Sequence, residues 1–301
     1  MALDRVREGD TAGRPADAPP ATPALAGAAD GGEAERRAIA RRLHRALVDR
    51  VYGVARDVWA EAVPDLRAAW EGHKQRYPER LRPAPTTTAD GGWVAGPHRR
   101  LSPEQNAEAS KACADLADEG RRDILPALKR VESAEPGRRL AGLEHMLKGE
   151  DRLKEKLAEA IRGRPGLTVR QALEIVPDPV RFTFTYQPQR YADYVLDDVD
   201  RLKAEGFELV KLKNLWTDEQ YKGVNSQWRR PETGLRVEVQ FHTTESLEAK
   251  ELTHAAYERI RSPALPAERM ELESFQRTVN ALVVIPERTD DIKDFPEKKN
   301  G

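Results

Sequence analysis

Apolar side chains recur at intervals of three and four from Glu33 onward. Ile39, Leu43, Leu47, Val51, Val54 and Val58 make one stripe, the signature of an amphipathic helix. The pattern runs on through Trp59, Val63 and Leu66 toward Trp70, with a break or kink expected at Pro64. Residues 78–100 hold four prolines and the pair Gly91-Gly92, which predicts a loop. Ser102-Pro103-Glu104-Gln105 then reads as a capped helix start, with serine as N-cap, proline at the first helical position and glutamine closing the box. That helix should reach Glu119, and another should cover 121–132, with Pro126 tolerable only in its first turn.

From Leu140 the texture changes. Helical residues to Arg162 lead through Gly163, Pro165 and Gly166 to a short helix at Val169–Ile175. Val180–Tyr186 alternates with period two, as a half-buried strand does. Residues 191–205 are amphipathic and stop at Gly206, a C-terminal cap. A strand over 207–213 follows. Residues 224–228 and 235–241 flank the turn sequence Pro231-Glu232-Thr233-Gly234 and should pair as a hairpin, before a helix over 245–261. The order strand, helix, strand, strand, strand, helix predicts an α+β fold, a mixed sheet with helices packed on it, preceded by an α-helical N-terminal region.

Composition adjusts this picture. Residues 1–32 are rich in Ala, Pro, Gly and Asp and have little to bury, so a disordered tail is expected there. A helical region over 33–135, a catalytic-type domain over 136–286 and a polar C-terminal tail over 287–301 complete the division. Across 301 residues, 34% are charged and 39% hydrophobic, polar for a globular chain yet enough for a core in the better-patterned parts. A net charge of −1 offers no global field for nucleic acid or anionic membrane, so phosphate binding must rest on local basic clusters. The single cysteine, Cys113, excludes an internal disulfide framework and a cysteine-rich zinc site, and reads as a small half-buried helix residue. No stretch approaches the ~20 apolar residues of a membrane helix, and the first residues lack the apolar core of a secretory signal. A cytoplasmic protein with no membrane partner is expected.

The segment 235–243 carries the most chemistry. Leu235, Val237, Val239 and Phe241 point to one face, and Arg236, Glu238, Gln240 and His242 to the other. Taken alone, such a row is as consistent with a solvated sheet face as with a site. The strand Val180–Tyr186 repeats the pattern with Arg181, Thr183 and Thr185, and Asp178 stands just before it. If the two strands are adjacent, Asp178 and Glu238 share one surface. Such a carboxylate pair suits Mg2+, which takes one or two carboxylates and fills its other positions with substrate phosphates. Asp178 before Pro179 also suits a plain turn.

Here the sequence resembles a family. Val237-Glu238-Val239-Gln240-Phe241-His242-Thr243 resembles the glutamate-x-glutamine-x-basic-threonine strand of RelA/SpoT-type alarmone synthetases, the small alarmone synthetases included. Asp178-Pro179-Val180-Arg181-Phe182 resembles the metal-binding aspartate segment that opens their central sheet. Tyr221-Lys222-Gly223-Val224-Asn225-Ser226 resembles the loop whose tyrosine stacks on the acceptor base, and Lys250-Glu251-Leu252-Thr253-His254 the helix that follows. Lys148 and Lys156 match two basic positions of the ATP-binding helix. The likeness covers about 145–262, with order and spacing kept.

The resemblance implies a nucleotidyltransferase-like core and a Mg2+-dependent pyrophosphokinase. Such an enzyme moves the β,γ-pyrophosphate of ATP to the ribose 3′-hydroxyl of an acceptor nucleotide, giving a (p)ppGpp- or (p)ppApp-type product. Asp178 and Glu238 would hold the metal, with Glu238 helping to deprotonate the hydroxyl. Lys148, Arg152, Lys156 and Arg181 would hold ATP phosphates, the first three sharing one helical face. Tyr221, Lys222, Asn225, Gln240, His242 and His254 would meet the acceptor, His254 being about as consistent with a structural role. Lys154 falls off the phosphate line, and Trp216 and Trp228 read as core or rim aromatics. Two departures stand out. Met146 occupies the place of a family arginine, for which Arg152 could compensate. No His-Asp dipeptide occurs, so the hydrolase domain of the long bifunctional relatives is not expected. Alternatives are a toxin-like effector acting on nucleotides or the tRNA 3′ end, its N-terminal helices binding an antitoxin or carrier, and a degenerate nucleotide-binding regulatory module.

Overall fold

The computed structural model describes residues 26–78, 84–261 and 265–296. The tail read over 1–32 lies outside the described residues as far as residue 25, and helix α1 begins at Ala26. The chain divides into two units, Met1–Leu47 and Val48–Gly301. The described part of the first is the N-terminal stretch of α1, and the sheets and all the other helices belong to the second.

Helix α1, Ala26–Arg76, runs through Pro64 without the expected break. Proline cannot bond the carbonyl of Ala60, but both residues are exposed, so water can satisfy it. An amphipathic stripe ordinarily faces a core; here its continuation does, with Trp59 and Leu66 buried and Val63 packed on the core, and its first part does not. Ile39, Leu43, Leu47, Val51, Val54 and Val58 are all exposed. The buried positions are Tyr52, Trp59, Leu66 and His73, every seventh residue and so one line along the helix. Trp59 donates from Nε1 to Glu248 at 2.6 Å, Trp70 stacks on Phe275 at 5.6 Å, and the Tyr52 hydroxyl accepts from the Glu287 amide at 3.0 Å.

The expected loop over 78–100 contains a small antiparallel sheet, with β1 (Thr86–Thr87), β2 (Trp93–Val94) and β3 (Arg100–Leu101). Trp93, 2% exposed, anchors it. Helix α2, Pro103–Glu119, starts at the predicted capping box, with Gln105 N–H bonded to the Ser102 side chain and the reciprocal bond present. A π-turn at Gly120–Ile124 carries the chain into α3, Leu125–Ser133, with Pro126 in its first turn.

The expected helix from Leu140 is replaced at its start by strand β4, Arg138–Ala141. Only then come α4 (Glu150–Gly163) and α5 (Val169–Ile175). Strand β5 (Val180–Tyr186), helix α6 (Tyr191–Ala204), strands β6 (Glu208–Asn214), β7 (Val224–Arg229) and β8 (Arg236–Thr243) and helix α7 (Thr244–Ile260) follow in the predicted order. Gly206, at φ 84°, ends α6 as expected. Helix α8, Pro266–Ala281, has no counterpart among the predicted elements.

The five-stranded sheet has the order β4-β5-β8-β7-β6, mixed as expected, with β5 parallel to β8 and the other pairs antiparallel. Its apolar face holds Phe182, Phe184, Val239 and Phe241, all buried, and α6 covers it, Tyr186 stacking on Tyr194 at 5.8 Å. The other face carries Arg181, Glu238, Gln240 and His242 and meets α7, where Lys250 bonds Gln240 at 2.6 Å. Within 287–296, read as part of a polar tail, Phe295 makes a single antiparallel bridge to Leu212 of β6, with backbone bonds of 2.8 and 2.9 Å.

The two faces of α1 should separate cleanly by mutation. Trp59→Ala should cost ~3–5 kcal/mol, the usual loss for a buried indole, whereas Val58→Ala should stay within ~0.5 kcal/mol. Urea unfolding measures both, and equal losses would show that the stripe is a packing face after all.

Candidate active site

The parallel register of β5 on β8 sets Arg181 opposite Glu238 and Thr183 opposite Gln240. From this pairing the site is built outward. Arg181 donates from Nε to Glu238, and its second nitrogen reaches Asp178 Oδ2 at 3.3 Å. Asp178 is also held by Lys148 at 2.6 Å and by Lys156. Glu238 Oε1 accepts from Asn225 at 2.7 Å and from Gln240 at 3.1 Å. Gln240 in turn accepts from Lys250 through its own oxygen. Lys148, Lys156, Arg181 and Lys250 therefore surround Asp178 and Glu238, four cations against two carboxylates. Immediately around these two carboxylates the excess is positive, as a site for polyanions requires, while Glu155, Glu159, Asp218 and Glu258 line the outer cavity.

Electrostatic shifts follow from this crowding. Burial acts to raise the Asp178 carboxyl, but Lys148 and Lys156 outweigh it and hold the group below its ordinary range. Burial lowers the Lys148 ammonium. It lowers Lys250 further, to about 8, with the Arg181 charge adding to the effect.

These groups line a cavity of about 660 Å³. Ten of the twelve predicted site residues border it: Lys148, Arg152, Lys156, Asp178, Arg181, Tyr221, Asn225, Glu238, Gln240 and His254. The other two do not. Lys222 is buried, and its ammonium donates to the carbonyls of Trp216 at 2.9 Å and Asp218 at 2.7 Å. It holds the Tyr221 loop in shape and does not reach the cavity. His242 is fully buried behind Tyr221. Its Nε2 lies 2.9 Å from the Tyr221 hydroxyl, and its Nδ1 lies 2.9 Å from Ser246 Oγ. Burial holds the imidazole well below the ordinary histidine range, helped by the Lys250 charge, so it is neutral. A neutral imidazole has one donor and one acceptor nitrogen, and the contacts to Tyr221 and Ser246 use both. His242 thus positions Tyr221.

The phosphate-side expectation needs two corrections. Lys148 is not on the helix with Arg152 and Lys156. It lies in the extended segment before α4, beside the Leu147–Val180 bridge, yet it still converges with Lys156 on Asp178. Met146 is 7% exposed and packs in the core, away from the cavity. An arginine there would bury its charge, so Met146→Arg cannot restore a lost phosphate contact. Arg152 lines the cavity but is tied to Glu155 at 3.0 Å and Glu258 at 2.8 Å. Lys154 pairs with Glu150 off the cavity, and Trp216 and Trp228 are core residues as read. Residues given no site role from the sequence also reach the cavity, among them Arg99, Lys250, Tyr257 and Arg261. Arg99 comes from the turn between β2 and β3, where sequence shows only a proline-rich loop. Those on α7 share a spacing of three and four that could have flagged them.

Among the described residues no group of three or more His, Cys, Asp or Glu side chains forms a metal site by itself. The Asp178–Glu238 pair nevertheless fits a hard cation. Both are oxygen donors of the type magnesium takes, and both already converge on one positive centre, the Arg181 guanidinium.

No family model matches the chain, and no curated protein matches it. Solved structures do. The smu.1046c protein of Streptococcus mutans UA159 is 16% identical over 60% of this chain and 90% of its own, with a TM-score of 0.38. A GTP pyrophosphokinase family protein of Streptococcus pneumoniae is 17% identical over 60% and 87%, with a TM-score of 0.37. Small alarmone synthetase 1 of Bacillus subtilis, bound to its product pppGpp, is 16% identical over 58% and 87%, again at 0.37.

The lowered Lys250 predicts a pH-dependent anion site. Its ammonium is charged below about 8 and neutral above. Pyrophosphate affinity should therefore be full below that value and fall about tenfold as pH rises through it, the worth of one charged hydrogen bond. Calorimetry across pH 6.5–9.5, with Lys250→Arg as the permanently charged reference, measures the difference. Parallel profiles for the two proteins would rule the role out.

Proposed function

We propose that this chain is a magnesium-dependent pyrophosphotransferase, moving the β,γ-pyrophosphate of ATP to the ribose 3′-hydroxyl of an acceptor nucleotide. The observation that carries the reading is the pair Asp178 and Glu238, joined by Arg181 and ringed by lysines, with Tyr221 on the same cavity wall. Two carboxylates amid surplus positive charge fit a reaction in which phosphate charge must be held and one proton removed.

Asp178 and Glu238 would hold the magnesium ion, which when bound neutralises phosphate charge. Lys148, Lys156 and Arg181 bind the triphosphate oxygens and orient the chain for in-line attack. Glu238 takes the proton from the acceptor 3′-hydroxyl. The freed oxygen bonds to the β-phosphorus, the bond from that phosphorus to the α,β-bridging oxygen breaks, and AMP leaves. Asn225 and Gln240 fix the Glu238 carboxylate in its plane while this happens. Tyr221, half-buried and tethered to His242, offers its ring to the acceptor base. An aromatic face accepts any base, so guanine nucleotides, adenine nucleotides and the tRNA 3′ end all belong in the assay.

Incubation with labelled ATP and Mg2+ and each acceptor in turn, with products resolved, tests the reaction. Transfer of two phosphates to one acceptor is expected, and ATP left unchanged with every acceptor would reject it. Glu238→Gln keeps the size but removes the base and turns one accepting oxygen into a donor facing Arg181 or Asn225. Turnover should therefore fall by at least ~10²-fold, with a lower melting temperature but a folded protein by circular dichroism. Tyr221→Ala should weaken acceptor binding by ~1–3 kcal/mol, one base stack, while Tyr221→Phe stays mild. Equal losses for ATP and acceptor in Tyr221→Ala would make the ring structural.

A further inference from the structure

Helix α7 gives the cavity more than Lys250. Lys250, Thr253, His254, Tyr257, Glu258 and Arg261 all line it, at intervals of three and four that put them on one face of the helix. Burial falls along this face. Lys250 is engaged with Gln240 on the sheet, Thr253 is 4% exposed, and Tyr257 is 46% exposed. Seven residues of helix separate Lys250 from Tyr257, about 10 Å at the helical rise. A large aromatic ring therefore stands in the open at the rim of a charged cavity, while a deeper position on the same face belongs to the floor.

Tyr257 has a cation against its ring and a salt bridge beside it. The Arg261 guanidinium lies 5.5 Å from the ring centroid. The neighbouring Glu258 ties Arg152 of α4 at 2.8 Å, which joins this part of the rim to the helix that carries Lys156. The other tyrosine of the cavity wall, Tyr221, belongs to the loop before β7 and is held by His242 beneath the sheet surface. The two rings thus stand on different elements, one tied to the β7–β8 side and one to the α4–α7 rim. Meanwhile Met146 is in the core, so no guanidinium reaches the donor side from that position.

We propose that Tyr257, backed by Arg261, is the platform for the purine base of the donor nucleoside triphosphate. The base stacks on the exposed ring at the α7 rim while the phosphates extend inward to Lys148 and Lys156. The proposal rests on the pyrophosphotransferase reading for the name of the ligand, but its test needs no turnover. A transfer of pyrophosphate from one nucleotide to another needs two base seats, and the two tyrosines supply them from different elements of the cavity wall.

The full-length protein is titrated by calorimetry with α,β-methylene-ATP and with inorganic tripolyphosphate, as wild type, Tyr257→Ala, Tyr257→Phe and Tyr221→Ala. Wild type should bind the nucleotide about ten- to a hundredfold tighter than tripolyphosphate, the span of one base stack. Tyr257→Ala should erase most of that advantage with tripolyphosphate affinity unchanged, and Tyr257→Phe should keep it. An advantage that survives Tyr257→Ala, or that disappears in Tyr221→Ala instead, overturns the proposal. So does a wild type that does not distinguish the two ligands, or an equal loss for both in Tyr257→Ala. Failure of the pyrophosphotransferase reading would look different: base-dependent binding at Tyr257 would persist with no transfer product.

Discussion

The Arg181 guanidinium between Asp178 and Glu238 is the contact on which the rest of the site depends. It exists because β5 and β8 are parallel neighbours in a register that sets residue 181 against residue 238. A slip of one residue would turn Arg181 and Glu238 to opposite faces of the sheet. What prevents the slip is the other face, where Phe182, Phe184, Val239 and Phe241 are buried together and would have to move into the charged layer. Apolar packing on one side of the sheet thus holds the ionic arrangement on the other.

That ionic arrangement is partly buried, and its members satisfy one another. Each oxygen of Asp178 and Glu238 accepts at least one donor from Lys148, Lys156, Arg181, Asn225 or Gln240. Buried charges that lacked such partners would cost several kcal/mol each. In the proposed reaction Lys148, Lys156 and Arg181 would exchange these carboxylate partners for phosphate oxygens. Such binding would be substitution within a prepared field, which lowers the reorganisation that chemistry otherwise requires.

The helices act as clamps around this sheet. The Trp59 indole and Glu248 connect α1 to α7, and Phe275 of α8 stacks on Trp70. Lys250 joins α7 to the charged strand, and Glu258 of the same helix joins Arg152 on α4. Helix α7 therefore touches the sheet, the first helix and the basic side of the cavity, which explains how a helix so polar along one face can be held in place.

Sequence alone determined much of this. Alternation along Val180–Tyr186 and 235–243, the Ser102 capping box and the Gly206 stop are local: each depends on backbone geometry and on neighbours a few residues away. The order of the elements along the chain followed from them, and ten of the twelve residues singled out from the strands and the family resemblance border one cavity. Tertiary structure decided the rest. It made Arg138–Ala141 an edge strand, because pairing partners are not written in a four-residue segment. It chose the line Tyr52, Trp59, Leu66 and His73 over the more regular aliphatic stripe of α1, because a helix with two apolar faces is assigned only by what packs against it. It withdrew Lys222 and His242 from the cavity and gave their polar atoms to Trp216, Asp218, Tyr221 and Ser246. Residue type and spacing show which groups can bind or react; which way a side chain faces is settled by burial, and burial is a property of the whole fold.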